Sequence, residues 1–308
     1  IDFAEDEEIV TKATIIMDLL MYDVAVQNNQ LMMVSTSGRA YEGNRKGGPN
    51  VSLGGATDHF WGSGNKIHSG MVHGMMYSDK YDLPEVIKEI ARDTSTVIIK
   101  QKNGLNLSDL EAEGFGSTDN RSMMMQWGME AFSNHEIIEN SMTHIRRHNM
   151  FSNDFVKDFR DFDYTLLRAL GLMPWISKII NPQSNGGAIQ QGNTYTFKTA
   201  DYSLYTSQSY HPGDYGDQHH ITGMNVGNHF SIFHLHPAIE KDVKNQSPNY
   251  WVGYGHLPHA VQQERVSLAI YNIPDKKGMM EKDLLDYTHA YFPTNLYDTT
   301  VIGQNYAL

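Results

Sequence analysis

Apolar side chains recur at Ile9, Ala13, Ile16, Leu20 and Val24, a spacing that predicts a helix with one apolar face. Ile15, Met17 and Leu19 widen that face, so burial on more than one side is expected. Asp6, Glu7 and Glu8 crowd the first turn, where negative charge favours the positive end of the helix dipole. A polar, glycine-rich loop follows, GRAYEGNRKGGPN. Leu83 to Asp93 reads as a second helix, with Pro84 in its first turn. Ser133 and Glu136 have the spacing of a capping box that starts a helix running to about His148. A further helix is expected from Asn153 to about Leu170, closed by Gly171.

The period then changes. NPQSNGGAIQQGN has the composition of an exposed linker. Beyond it TYTFKTADYSLYTSQS alternates over part of its length and is rich in threonine and aromatics, the mark of strands. FSIFHLH and VSLAIYNI read the same way. Helices first and strands afterwards predict an α+β chain: a helical domain over 1–182, a linker over 183–193, and an antiparallel β-sandwich over 194–308.

Composition narrows the function. The formal charge is −12, from 24 basic and 36 acidic residues, which argues against broad contact with nucleic acid or anionic lipid. Cysteine is absent, so disulfides, thiolate metal sites and cysteine nucleophiles are excluded for this sequence. No run of about 18 apolar residues occurs, and no membrane-spanning helix is expected. The chain opens on Ile1 rather than methionine, which reads as processing or truncation. Phosphate-loop, GxSxG, HExxH and dinucleotide fingerprints do not occur.

The segment from Gly192 to Pro237 is dense in tyrosine and histidine. These side chains move protons near neutral pH without fixed negative charge, which suits abstraction of a proton beside a carboxylate. Tyr210-His211 and His219-His220 bracket the turn PGDYGDQ, and Tyr210, His219 and His220 are acid–base candidates. His234 and His236 fall on one strand face with Phe230 and Ile232 as a candidate zinc pair, although buried, hydrogen-bonded histidines are the plainer account of them. His144 and His148 form a weaker pair at helical spacing. Asn134 and His135 sit at a predicted helix N-terminus, which attracts anions. The loop from Ser37 to Glu42 offers Arg39 to grip a carboxylate, with Tyr41 and Glu42 beside it; an Arg–Glu loop clasp is the structural alternative. Trp61, near Asp58 and His59, is either a sugar-stacking face or core.

The strings STSGRAYEG, FKTADYSLYTSQSYHPGDYGDQHHI, FHLHP, NYWVGYGHLPHAVQ, AIYNIP and YTHAYFPTNLYD together resemble bacterial proteins of the heparinase II/III-like family. The resemblance implies an α/α toroid joined to a β-sandwich and β-elimination of an acidic polysaccharide. It also implies an extracellular or periplasmic location. No cofactor is expected to be required, and a structural zinc or calcium ion is left open. By the same resemblance, Asn134 or Arg39 neutralises the uronate carboxylate, His135 or His220 is the base, and Tyr41 or Tyr210 is the acid. His211, Glu42 and Trp61 would contribute to substrate binding, and His219 to catalysis. Ser37 stands where relatives often carry histidine, and His211 where they tend to carry arginine. Relatives are longer, so this chain is expected to hold part of each domain. A homo-oligomer, or further segments of the same precursor, are the other expected partners.

Two other functions compete. A toroid-fold glycoside hydrolase needs two carboxylates about 5 to 10 Å apart, for which Glu42, Asp58, Asp201 and Asp214 are candidates. A non-catalytic carbohydrate-binding or structural surface protein would need none of this chemistry.

Overall fold

The computed structural model describes residues 1–38, 46, 53–64, 74, 78–163, 165–180, 188–210, 219–227, 230–244, 246–277 and 281–304. The architecture is mixed helix and antiparallel sheet, as expected for an α+β chain. Among the described residues, no helix is long and apolar enough to cross a membrane.

Helix α1 spans Glu7–Val26 and is capped by Asp6, whose carboxylate accepts from the Glu8 and Ile9 amides at 2.8 and 3.2 Å. Only Met21, Val24 and Ala25 on it are buried. Ile9, Ile16, Leu19 and Leu20 are all more than half exposed, so the expected burial on several sides does not occur. The C-terminal half of α1 packs with α2 (Gly54–Trp61) and α3 (Glu85–Arg92) around Phe60, Trp61, Tyr81, Leu83 and Ile87. A two-residue hairpin, β1 (Asn28–Asn29) with β2 (Met32–Met33), follows α1 directly.

Val97–Asn103 forms strand β3, inside the stretch read as helical. Its pattern explains the outcome, because Val97, Ile99 and Gln101 alternate with charged or exposed positions. Beyond it lie α4 (Asn120–Gly128) and α5 (Ile138–Arg147). The expected capping box does not form: α5 begins five residues after Ser133, and Ile137 holds the cap position without a side-chain bond. Instead the Asn134 carbonyl accepts from the Ile137 and Ile138 amides, and the Ser133 carbonyl accepts from the Ser177 hydroxyl. The single helix expected from Asn153 is broken into a 3₁₀ stretch at Lys157–Phe162 and a short α6 (Thr165–Ala169). Gly171 ends this region at φ 65°, as its position suggested. Helix α7 covers Met173–Ile180.

The strands expected after the linker appear as β4 (Gly192–Lys198), β5 (Tyr202–Gln208), β7 (Phe230–Leu235) and β9 (Val266–Ile270), and three that the pattern did not show join them: β6 (Thr222–Val226), β8 (His259–Gln263) and β10 (His289–Tyr291). Six form one antiparallel sheet in the order β10-β7-β6-β5-β4-β3, and β8–β9 forms a separate hairpin. β3 therefore joins the sheet from the N-terminal part of the chain.

Register assigns each residue to a face. Gln101 lies opposite Thr194, Thr196 opposite Tyr205, Tyr205 opposite Gly223, and Ser203 opposite Asn225. These share one face, which the β1–β2 hairpin covers: Asn29 Nδ2 donates to the Thr199 carbonyl at 2.7 Å and to Ser203 Oγ at 3.0 Å. Tyr195 and Thr206 occupy the other face. There β8–β9 docks, with Gln262 Nε2 donating to the Leu204 carbonyl and Thr206 Oγ1 donating to Gln262 Oε1. The outward side of that hairpin leaves Val261, Val266, Leu268 and Ile270 more than half exposed.

Asn29 is the polar clamp between hairpin and sheet, so Asn29→Ala is expected to lower unfolding free energy by about 1–3 kcal/mol. The shift should appear in the urea midpoint with an unchanged slope.

Candidate functional site

Tyrosine and histidine pair twice at the end of the sheet. Ser37 and His220 exchange both backbone hydrogen bonds, at 2.9 and 2.8 Å, as an isolated antiparallel bridge. That bridge brings the start of the Ser37–Glu42 loop against the histidine segment, two regions far apart in sequence. Arg39, Tyr41, Glu42 and His211 lie outside the described residues. So do the turn PGDYGDQ and Asp214.

Tyr205 projects from β5, and its hydroxyl lies 3.0 Å from His220 Nε2 and 2.9 Å from Asn225 Oδ1. Asn225 Nδ2 in turn donates to Ser231 Oγ at 3.0 Å, which leaves Oδ1 facing the tyrosine. The single phenolic proton therefore goes to Asn225, and the phenol oxygen accepts from an Nε2–H on His220. In this tautomer Nδ1 of His220 carries the basic lone pair. Room for the pair comes from Gly223. A Cβ there would lie 2.9 Å from the Tyr205 hydroxyl and 3.0 Å from His220 Cε1.

The second pair is Tyr210 with His219, hydroxyl to Nδ1 at 3.1 Å. The Tyr210 hydroxyl also faces the Ala188 carbonyl at 3.4 Å. Its ring packs with Ile221, Phe233, Leu235, Tyr254 and Leu257. Burial pushes the Tyr210 phenol well above its ordinary range, so it holds its proton throughout the neutral region. Tyr205, Tyr210, His219 and His220 are each no more than 6% exposed.

Asn134 reaches this region through the backbone. Its amide is near the Ala131 carbonyl, and Ala131 shares an apolar cluster with Ala188, whose carbonyl faces Tyr210. The Asn134 side chain is fully buried. His135, beside it, is partly exposed and its Nδ1 lies 3.0 Å from Glu136 Oε2.

The remaining candidates fall elsewhere. Trp61 is 5% exposed in the helical core and donates its indole N–H to the Leu31 carbonyl, so protein covers the faces a sugar would need. Asp58 accepts from the Gly64 amide just beyond α2, and Asp201 stands in the exposed β4–β5 turn. His144 and His148 lie with ring centroids 4.4 Å apart, their planes tilted by 49°. His234 Nδ1 bonds to the Tyr271 hydroxyl and His236 Nε2 to the Leu285 carbonyl, each at 2.7 Å. Among the described residues no group of three or more histidines and carboxylates is placed to hold a metal ion. His236 is buried and His234 partly so, and each is hydrogen-bonded within the protein.

Sequence reading missed the Tyr205–Asn225–Ser231 chain. The alternating pattern of β5 places Tyr205 inward, but only the register of β6 and β7 reveals its partners. No family model matches the chain, and no curated protein or solved structure matches it significantly.

Burial holds His236 below its ordinary value and His289, stacked on Trp251 at 4.1 Å, down to about 4. The unfolded chain takes up these protons near pH 6.5, whereas the native state resists them. Stability is thus expected in full above about pH 6.5 and to fall as pH drops from there toward about 4. Urea unfolding across that range, with an NMR titration of the His289 ring, checks both the direction and the window.

Proposed function

We propose that this protein is a polysaccharide lyase that cleaves a uronic-acid-containing polymer by β-elimination. The observation that carries this reading is the pairing of two buried tyrosines with two adjacent histidines beside the Ser37 loop. In the reaction, Asn134 or Arg39 neutralises the uronate carboxylate and makes the C5 proton more acidic. His220 takes that proton at Nδ1, with His135 as the other candidate base. The C4–O bond breaks as the C4=C5 double bond forms, and Tyr210 or Tyr41 gives its proton to the departing glycosidic oxygen. Burial keeps Tyr210 protonated at neutral pH, as a donor must be, while making the phenol a weaker acid.

The finer architecture belongs to the same reading. The helical layer corresponds to part of an α/α toroid, and the six-stranded sheet with the hairpin on its far face to part of a β-sandwich. The location is extracellular or periplasmic, and the partner is an acidic polysaccharide. The exposed apolar faces of α1 and of β8–β9 suit a second copy or further segments of the same precursor.

Burial also favours a second reading. With all four ring side chains at most 6% exposed, the same network serves equally as the polar core of a carbohydrate-binding protein that performs no chemistry.

Absorbance near 232 nm during incubation with heparan, chondroitin, hyaluronan, alginate and ulvan separates the two. The lyase reading expects a rise on at least one polymer, reduced about 10²- to 10⁴-fold by His220→Gln and by Tyr210→Phe at unchanged melting temperature. A flat trace across the panel, with polymer still bound, assigns the binding role instead.

A further inference from the structure

Helix α7 is packed inside out. Its inward side holds Met173, in a cluster with Ile138 and Met142, and the buried Ser177, whose hydroxyl donates to the Ser133 carbonyl. The side turned away carries Trp175 and Ile179, 63% and 49% exposed, one helical turn apart. Just before it, Leu166, Leu170 and Leu172 also stand in water. A helix that covers a serine and leaves tryptophan and isoleucine outside marks a contact surface rather than a solvated face.

Helix α1 presents a second surface of this kind, with Ile9, Ile15, Ile16, Leu19 and Leu20 each more than half exposed. The inward sides of α1 and α7 belong to separate apolar clusters, so one chain offers both outward faces at once. Their charges are opposite. Between Asp2 and Val26 the chain carries seven acidic residues and one lysine, and that lysine, Lys12, is bonded to Glu8 at 2.6 Å. From Tyr164 to Ala200 it carries no aspartate or glutamate, although acidic residues number 36 in the whole chain. The cations beside the α6–α7 face are the exposed Lys178 and Arg168, the latter also 3.2 Å from Asp163.

We propose that copies of this chain associate head to tail, the α6–α7 face of one against the α1 face of the next. Apolar area on both sides supplies the attraction, and the acidic and acid-free segments select one face for the other. Such a contact leaves one face of each kind free at the ends, so it grows into a ring or an open chain instead of stopping at two copies. The β8–β9 hairpin also exposes apolar side chains, but its turn sets Glu264 beside Arg265 and matches neither charge. An anionic lipid surface is disfavoured by the formal charge of −12. The inference is independent of the lyase reading, because neither face includes Tyr205, Tyr210, His219 or His220.

Sedimentation velocity of the full chain across a dilution series tests this. Wild type is expected to exceed the mass of one chain, increasingly so with concentration. Trp175→Glu and Ile16→Glu, both at exposed positions, should each run as a single chain with the melting temperature unchanged, since each spoils one of the two faces. Mixed in equal amounts, the two variants should form a dimer and nothing larger, because each still offers the face the other lacks. Lys178→Glu should weaken wild-type assembly roughly threefold to tenfold, and Leu268→Glu, on the hairpin, should leave it unchanged. The proposal is overturned by a wild type that stays a single chain throughout, by a mixture that stays monomeric, by assembly indifferent to Lys178→Glu, or by assembly lost in Leu268→Glu.

Discussion

The contact of Tyr205 with the bare backbone of Gly223 governs the candidate site. Across the β5–β6 ladder these residues are direct partners, and the absent side chain at 223 is the space in which the phenol and the His220 ring meet. The ladder fixes Asn225 opposite Ser203 and Ser231 opposite Asn225, so one register supplies both hydrogen-bond partners in the chain. Slipping it by a residue would send Tyr205 to the far face, where the β8–β9 hairpin docks. The same register therefore positions the site and holds the layers together.

The sheet face toward the helices is unusually polar for a buried surface. Thr196, Ser203, Tyr205, Ser207 and Asn225 are each at most 5% exposed. Interiors of this kind hold only when the groups answer one another, and here Asn29, Asn225 and Ser231 supply much of the answer. A cavity of about 270 Å³ lies at the edge of this face, bounded by Thr194 and Gln101.

How much of this was legible in the sequence depended on how local each signal was. The acidic start of α1 and the alternation through β4, β5, β7 and β9 are set by neighbours a few residues away, and they read correctly. β3 alternates too, but its helical surroundings disguised it, and its partner β4 lies far along the chain. The Ser133–Glu136 spacing suggested a cap, yet Glu136 lies against His135 and the turn at Asn134 closes through its own carbonyl. Periodicity made α1 a buried helix, whereas only one side found partners. Tyr210, His219 and His220 were visible as a dense cluster, but the partners of Tyr205 and the Ser37 bridge arise from long-range pairing that no local pattern carries.

The direction of the hydrogen-bond chain through Tyr205 is the central physical claim, because it places the basic lone pair of His220 on Nδ1. Nitrogen-15 NMR of the histidine rings at neutral pH tests it most directly. The account predicts that His220 is neutral with its proton on Nε2, and that Tyr205→Phe allows the proton to redistribute between the two nitrogens. A proton found on Nδ1 in the unaltered protein would contradict it, since Nε2 would then accept from Tyr205 and leave Asn225 Oδ1 without that donor.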